Sequence, residues 1–177
     1  MSVELETARL RLRPFREGDL EDLYRLYGDA EVMRYISDGR PRTREETVAA
    51  LARMMGHWPQ FGFGMWALFD RTDGRFIGRC GLQPLREGSE IELGYTLFKE
   101  FWGRGIATET ARLALRHGFE TSGLERIIAI AHPANGASRR VMEKVGLRYE
   151  RTGPFKDQEV VWYALGRDEF RTATASA

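Results

Sequence analysis

The sequence has one cysteine, Cys80, among its 177 residues, which rules out an internal disulfide framework and fits a reducing compartment. Set in a strand-like stretch, that thiol reads as a small buried side chain rather than a nucleophile. No apolar run nears the roughly 20 residues needed to span a bilayer, and the first residues carry no signal-peptide core. A cytoplasmic protein with no membrane partner is expected. Neither sign of charge is in excess: 27 basic residues face 26 acidic ones, a net +1, so nothing across the sequence invites nucleic acid. His57, His117 and His132 are scattered without paired ligand spacing, so no metal site is expected. No Gly-x-Ser-x-Gly elbow announces a nucleophile. Repeats and linkers are missing too. The length suits one domain, taken as residues 1–170, able to bury roughly 70% of its unfolded surface. The remainder, 171–177, small and polar from Thr172 on, reads as an unstructured tail.

What the chain does have is Phe101-Trp102-Gly103-Arg104-Gly105-Ile106-Ala107-Thr108. A strand-like run, Ile91 to Phe98, precedes it. A helical pattern follows, with Ala107, Ala111, Ala114, Leu115, Gly118 and Phe119 on one face. A strand therefore turns through two glycines into a helix start. Glycines allow the bend and let a ligand come close to the backbone, while the first free amides and the positive dipole end of the helix favour an anion. The stretch reads as a diphosphate cradle. A P-loop would need Gly-Lys-Ser/Thr, which Arg104-Gly105-Ile106 does not supply. A Rossmann turn would need a third glycine or alanine where Thr108 stands, and an acid after the next strand, whereas Glu125 precedes it.

The rest of the chain alternates elements. Arg9-Leu10-Arg11-Leu12-Arg13 has the period of a half-buried strand ended by Pro14, and Asp19 is placed to cap a helix carrying Leu20, Leu23, Tyr24 and Tyr27. Ser37 to Arg42 is a polar loop, a flap. Thr43-x-x-Glu46 is a capping box, opening a helix whose Val48, Leu51, Met55 and Trp58 form the core stripe and which Pro59, Gly62 and Gly64 end. Three antiparallel strands follow: Met65 to Phe69, Phe76 to Leu82 after the Asp73-Gly74 turn, and Ile91 to Phe98 after a turn at Glu87-Gly88-Ser89. Gly78 and Gly81 suggest bends or close backbone contact. Ile127 to Ala131 is a buried strand broken by His132-Pro133. Asn135 caps the next helix, with Val141, Met142 and Val145 inward and Gly146 at its left-handed end. A hairpin, Leu147 to Thr152 and Glu159 to Leu165, completes the sheet.

Gly105-x-Ala107 after a bent strand resembles the acyl-CoA loop of the GNAT superfamily of N-acetyltransferases, Gln/Arg-x-x-Gly-x-Gly/Ala, with Trp102 departing at the first position. Trp-Gly-x-Gly-x-Ala-Thr-Glu is similar to the branch that includes the Rim-type ribosomal-protein N-terminal acetyltransferases. Thr7-x-Arg9-Leu10-x-Leu12-Arg13-Pro14-Phe15 and Asp29-x-Glu31-Val32-Met33-Arg34-Tyr35 resemble that branch's N-terminal signature, and Asn135-x-x-Ser138-x-x-Val141-x-Glu143-Lys144-x-Gly146-Leu147 its pantetheine segment. The resemblance implies an α/β GNAT fold: a mixed, mostly antiparallel sheet, splayed at the acyl-CoA site, with helices on both faces.

It also implies acetyl-CoA as cosubstrate and direct acetyl transfer to a primary amine in a ternary complex, without a metal. The pyrophosphate is then expected on the backbone of Trp102, Gly103, Arg104, Gly105, Ile106, Ala107 and Thr108. Pantetheine is expected along the strand at Thr96 and Leu97, with the Leu97 amide towards the thioester oxygen, and against Asn135 and Ser138. An ammonium near a pKa of about 10.4, or an α-amine near about 7.8, must lose a proton to attack. Glu92, in the pattern Glu-x-Gly-Tyr, is the candidate base, with Glu90 and Glu159 in reserve. Many family members place a tyrosine seven residues after the asparagine; Met142 stands there, so Ser138 is taken as the proton donor to the leaving thiolate. The segment Tyr35 to Arg42 and the turn Gly153 to Gln158, with Asp38 and Asp157, are expected to line the acceptor groove. The acceptor stays open between a protein N-terminus and a small amine such as a polyamine or antibiotic. A non-catalytic acyl-CoA sensor is the rival, and the chain is expected as a monomer or homodimer.

Overall fold

Leu10 and Leu12 are completely buried on one side of their strand, and their arginine neighbours lie on the other, so the alternation sets the first ladder of the sheet. The computed structural model describes residues 3–85 and 89–175. Its strands are β1 Leu5–Glu6, β2 Leu10–Pro14, β3 Met65–Asp70, β4 Phe76–Pro84, β5 Ile91–Leu97, β6 Arg126–Ala131, β7 Arg148–Phe155 and β8 Gln158–Gly166. The helices are α1 Leu20–Gly28, α2 Ala30–Met33, α3 Arg44–Phe61, α4 Ile106–Arg116, α5 Gly136–Lys144 and α6 Arg167–Ala175. The sheet order is β1-β2-β3-β4-β5-β6-β8-β7, and each neighbouring pair is antiparallel except β5 and β6. The expected mixed, mostly antiparallel sheet with helices on both faces is what forms.

One face carries Leu10, Leu12, Trp66, Leu68, Cys80, Leu82, Leu93 and Leu97, packed on Ile106, Ala111, Ala114 and Leu115 of α4. Ala111 and Ala114 are fully buried, and their small side chains bring α4 close to the strands. The opposite face puts Met65 and Ala67 under Leu23, Leu26 and Tyr27 of α1, Met33 of α2, and Leu51 and Met54 of α3. At this burial each large aliphatic side chain contributes roughly 1.5–3 kcal/mol.

The sheet opens at one place. β4 and β5 pair along their whole length, from Gly78↔Leu97 to Pro84↔Ile91, whereas β5 and β6 share the single register pair Glu92↔Ile128. Beyond it the two parallel strands diverge towards Leu97 and Ala131. Gly78 (φ 151°) makes the near side of the opening possible: a Cβ there would stand 2.2 Å from the Thr96 carbonyl oxygen and 2.8 Å from Leu97 Cα. Gly81 is likewise a close contact, against the backbone of Gly64 and Met65.

Several sequence expectations change. The α3 stripe is turned by one position: Thr47, Ala50, Leu51 and Met54 face inward, and Val48 is 47% exposed. Thr47 tolerates this because its hydroxyl donates to the Thr43 carbonyl (2.9 Å). The capping box at Thr43 and Glu46 is present, but Pro59 lies inside the helix and only Gly62 (φ 75°) ends it. Asp19 does not cap α1; its carboxylate accepts two bonds from Arg13 (both 2.7 Å) and one from the Arg16 amide (2.8 Å). Residues Thr172 to Ala175, expected to lack structure, continue α6, which Phe170 anchors on Phe119 (ring centroids 4.9 Å apart). Glu87 and Gly88 of the expected turn lie outside the described residues, as do Ser176 and Ala177.

Candidate active site

The loop between β5 and α4 takes its shape from Gly103 (φ 70°) and Gly105 (φ 74°), both left-handed. Gly105 is the N-cap of α4 and supplies no side chain, so the cap is open. The first bond into the helix runs from the Glu109 amide to the Gly105 carbonyl (3.0 Å). The amides of Ile106, Ala107 and Thr108 therefore have no intrahelical acceptor and point out of the helix end. Trp102 to Gly105 are exposed. The loop is braced from outside: Arg9 donates to the Arg104 carbonyl (2.8 Å) and to the Glu109 carboxylate (2.7 Å). Trp102 Nε1 donates back to the Leu97 carbonyl (2.9 Å).

The gap itself is lined by backbone. The Phe98 amide bonds the Ile77 carbonyl (3.0 Å), and this fixes the alternation along β5. Phe98, Thr96, Gly94 and Glu92 direct their backbone groups at β4, so those of Leu93, Tyr95 and Leu97 point the other way, towards β6. Past Glu92↔Ile128 the divergence of β6 leaves the Leu97 amide aimed into the opening. On the far side stands α5. Asn135 Oδ1 accepts from the Ser138 amide (3.1 Å) as the N-cap. Ser138 Oγ lies 2.9 Å from Tyr95 Oη, which also donates to the Ser138 carbonyl (2.9 Å). Burial pushes the Tyr95 phenol well above its ordinary value, so it stays protonated. Met142 is core, only 2% exposed.

Glu92 projects from the opposite face of β5, level with Gln83 and Ile128. Its Oε2 accepts from Gln83 Nε2 (2.7 Å), and burial raises its carboxyl above the usual range, while that bond and the nearby Arg79 charge oppose the rise. Glu90 is occupied by Arg126 (3.3 Å) at the surface. Glu159 lines a cavity of about 380 Å³ with His132, Pro133 and Gln158. Tyr35, just ahead of the flap, stacks on His132 immediately after β6 (ring centroids 5.2 Å apart). Asp38 is paired with Arg40 (2.9 Å). Asp157 falls in the turn joining β7 to β8. Cys80 is fully buried and its thiol is pushed up to about 12 by desolvation, which suits a core residue. Among the described residues no group of three or more His, Cys, Asp or Glu side chains is placed to hold a metal.

The structure thus gathers the loop 102–108, Leu97, Asn135 and Ser138 around the opening on the α4 side, and sets Glu92 on the other side. Glu92 and Ser138 are on opposite faces of β5 and share no contact. Three residues were not picked out as site residues. Arg9 enters the sequence reading through the alternating strand and the N-terminal signature, with no role at the loop. Tyr95 was noted only as part of the Glu-x-Gly-Tyr pattern. Arg79 did carry a signal, a charge inside the apolar run Phe76-Ile77-Gly78-Arg79-Cys80-Gly81-Leu82.

Residues 9–148 match the family described as acetyltransferase (GNAT) domain. The chain belongs to the GNAT family. Among solved structures, an acetyltransferase from Agrobacterium tumefaciens superposes with a TM-score of 0.82 at 27% identity, covering 92% of this chain and 94% of its own. The FsC-acetyl coenzyme A-N(2)-transacetylase of Aspergillus fumigatus is 32% identical over 183 residues, covering 94% of this chain and 77% of the relative. RimL, a ribosomal L7/L12 α-N-protein acetyltransferase solved with coenzyme A, shares the fold at 18% identity and a TM-score of 0.78, covering 94% and 99% of the two chains. This GNAT chain is therefore an acetyl-CoA-dependent N-acetyltransferase. The residues present fit acetyl-CoA: the open cap at Gly105 offers fixed amides to a pyrophosphate, and the Leu97 backbone offers an edge to the peptide-like pantetheine.

Proposed function

We propose that this GNAT enzyme acetylates a primary α-amine by direct attack within a ternary complex, the two substrates meeting through the opening between β5 and β6. The observation that carries the reading is the placement of the two half-sites. The open helix cap, Asn135 and Ser138 lie towards one face of the sheet, and the raised carboxyl of Glu92 lies on the other. Only a gap in the sheet lets them serve one reaction.

Acetyl-CoA, when bound, supplies an acyl carbon already activated for attack. The chain's own groups do the rest. Amides from Gly103 to Thr108 hold the diphosphate without bringing a charge that must be desolvated, while the Trp102 amide, expected to join them, is taken by the Lys99 carbonyl (3.0 Å). The Leu97 amide is positioned for the oxygen on which charge grows, a contact worth on the order of 3 kcal/mol to the barrier. Glu92, raised by burial, is a better base than an exposed glutamate and takes the amine proton directly or through one water. Tyr95 and Ser138 form a hydroxyl pair beside the thiol end, and Tyr95 keeps its proton at neutral pH. The choice of an α-amine draws on two supports. Such amines shed a proton near pH 8 rather than above 10, and the FsC relative is named for transfer to an N(2) nitrogen.

Initial-rate kinetics with labelled acetyl-CoA against a pool of amino acids, ribosomal proteins, polyamines and aminoglycosides tests this. Intersecting double-reciprocal lines with an α-amine are expected. Parallel lines, or coenzyme binding without transfer to any amine, would refute direct acetyl transfer.

A further inference from the structure

Arg79 is 8% exposed, yet among the described residues no carboxylate lies within ion-pair distance of it. Its Nε has no hydrogen-bond partner, and Nη1 reaches only Met65 Sδ, a weak acceptor, at 3.4 Å. The Tyr27 ring sits 5.5 Å from the guanidinium carbon. A second polar atom is orphaned beside it: Thr96, its register partner on β5, is 5% exposed and its hydroxyl is unpartnered. A lone buried charge is costly, and proteins normally pair it.

The side chain runs along the sheet towards Glu92. Nη1 stands 3.6 Å from where a Cβ on Gly94 would be, and Gly94 lies between Thr96 and Glu92 on the same face of β5. Gln83, Glu92 and Gly94 around this tip are partly buried rather than sealed, so the guanidinium ends beside the Glu92 carboxylate at a place a small acceptor can approach. The carboxylate of Glu92 is within electrostatic reach of Arg79 but is bonded to Gln83 instead.

We infer that Arg79, with Thr96, binds a carboxylate of the acceptor, and that the acceptor is a small zwitterion: a free α-amino acid or a derivative that keeps its α-carboxylate. This rests on the acetyl-transfer reading and specifies its substrate. The charges decide the class. Arg79 and Lys156 both act on the Glu92 carboxylate, so positive charge is already in excess there and a plain ammonium would add to it. A zwitterion adds no net charge, with its ammonium at Glu92 and its carboxylate on the planar guanidinium fork, which matches two carboxylate oxygens. The Thr96 hydroxyl adds a third donor. A polyamine would instead bring further positive charge beside Arg79.

The test is a matched acceptor series on the full chain: α-amino acids, their α-amides, the corresponding decarboxylated amines, short peptides and spermidine, read as kcat/KM at fixed acetyl-CoA. The free amino acids should exceed the amides and the decarboxylated amines by at least about tenfold, because unpaired buried donors penalise the analogue that lacks the oxygen. Arg79→Met should bring that ratio close to one while calorimetry shows acetyl-CoA affinity unchanged, and Arg79→Lys should keep part of the preference. The wild-type ratio stands without either variant should one fail to fold. Equal or better turnover of amides, peptide N-termini or spermidine overturns the inference and leaves acetyl transfer intact. Acetyl-CoA binding with no acetylation of any member overturns both. Absence of coenzyme binding defeats the transfer reading at its source.

Discussion

Tyr95 Oη lies 2.9 Å from Ser138 Oγ, so the last rungs of β5 are tied to the first turn of α5 across the opening. The same phenol donates to the Ser138 carbonyl (2.9 Å), a second bond from one side chain. Tyr95→Phe removes both. A net loss of about 1 kcal/mol per bond is typical, and Ser138 keeps a buried hydroxyl to satisfy. Thermal unfolding should fall by about 4 °C, and the KM for acetyl-CoA should rise, since the far wall of its channel loses its tie. An unchanged KM with a lowered Tm would mean that the tie serves stability alone.

Glu92→Gln separates activity from stability. Removing a general base lowers kcat by roughly 10²–10⁴-fold, while acetyl-CoA affinity measured by calorimetry should stay as it was. Stability moves the other way. The folded carboxyl titrates above its ordinary 4.5, so the native state binds the proton more tightly than the unfolded chain does. The wild type is therefore fully favoured below 4.5, and it loses stability as pH climbs from there through the raised value. At pH 7 the glutamine variant should melt higher than wild type, and below pH 4 the difference should close. In wild type the acidic limb of kcat/KM should fall above the pH of an exposed glutamate.

Gly105 is the helix cap at φ 74°. A β-branched residue there is strained by about 1–2 kcal/mol and narrows the approach to the amides. Gly105→Val should weaken acetyl-CoA binding by at least about tenfold, a free-energy loss of about 1.4 kcal/mol, with the far-UV spectrum unchanged. Arg9→Ala should weaken it less, because Arg9 steadies Arg104 from outside without occupying the cap.

Arg13 and Asp19 form a two-pronged ion pair whose side chains are 13% and 7% exposed. Losing one partner leaves the other buried and uncompensated, typically at about 3–5 kcal/mol. Asp19→Ala should lower Tm by roughly 10 °C, with KM values unchanged in the protein that remains folded. A shift of a degree or two would mean that Arg13 finds water or another acceptor.

The parts of the site readable from residue order are those where one position admits few residue types. Gly103 and Gly105 favour glycine because their backbones are left-handed, and Asn135 belongs to the few types whose side chain can cap the helix, here accepting from Ser138 three residues on. Both are local constraints. Tyr95 meeting Ser138 is not, since the partners are 43 residues apart and meet only once the sheet has opened. The α3 stripe was misread for a related reason. Its apolar residues surround much of the helix, and contact with α1 and β3 decided that Met54 and Thr47 face inward while Val48 does not. Asp19 looked like a cap by position, but Arg13 on the adjoining strand claimed it. The α6 helix depends on Phe170 finding Phe119, which no local pattern announces.

The single rung Glu92↔Ile128 divides the sheet into two plates, β1 to β5 and β6 to β8 with β7 at the rim. A rod of amide groups laid in the cleft would continue the ladder, and on the proposed reading the coenzyme would take the place of a missing strand. Amide hydrogen exchange in β5 and β6 should slow together when the cleft is filled, as two plates become one continuous lattice.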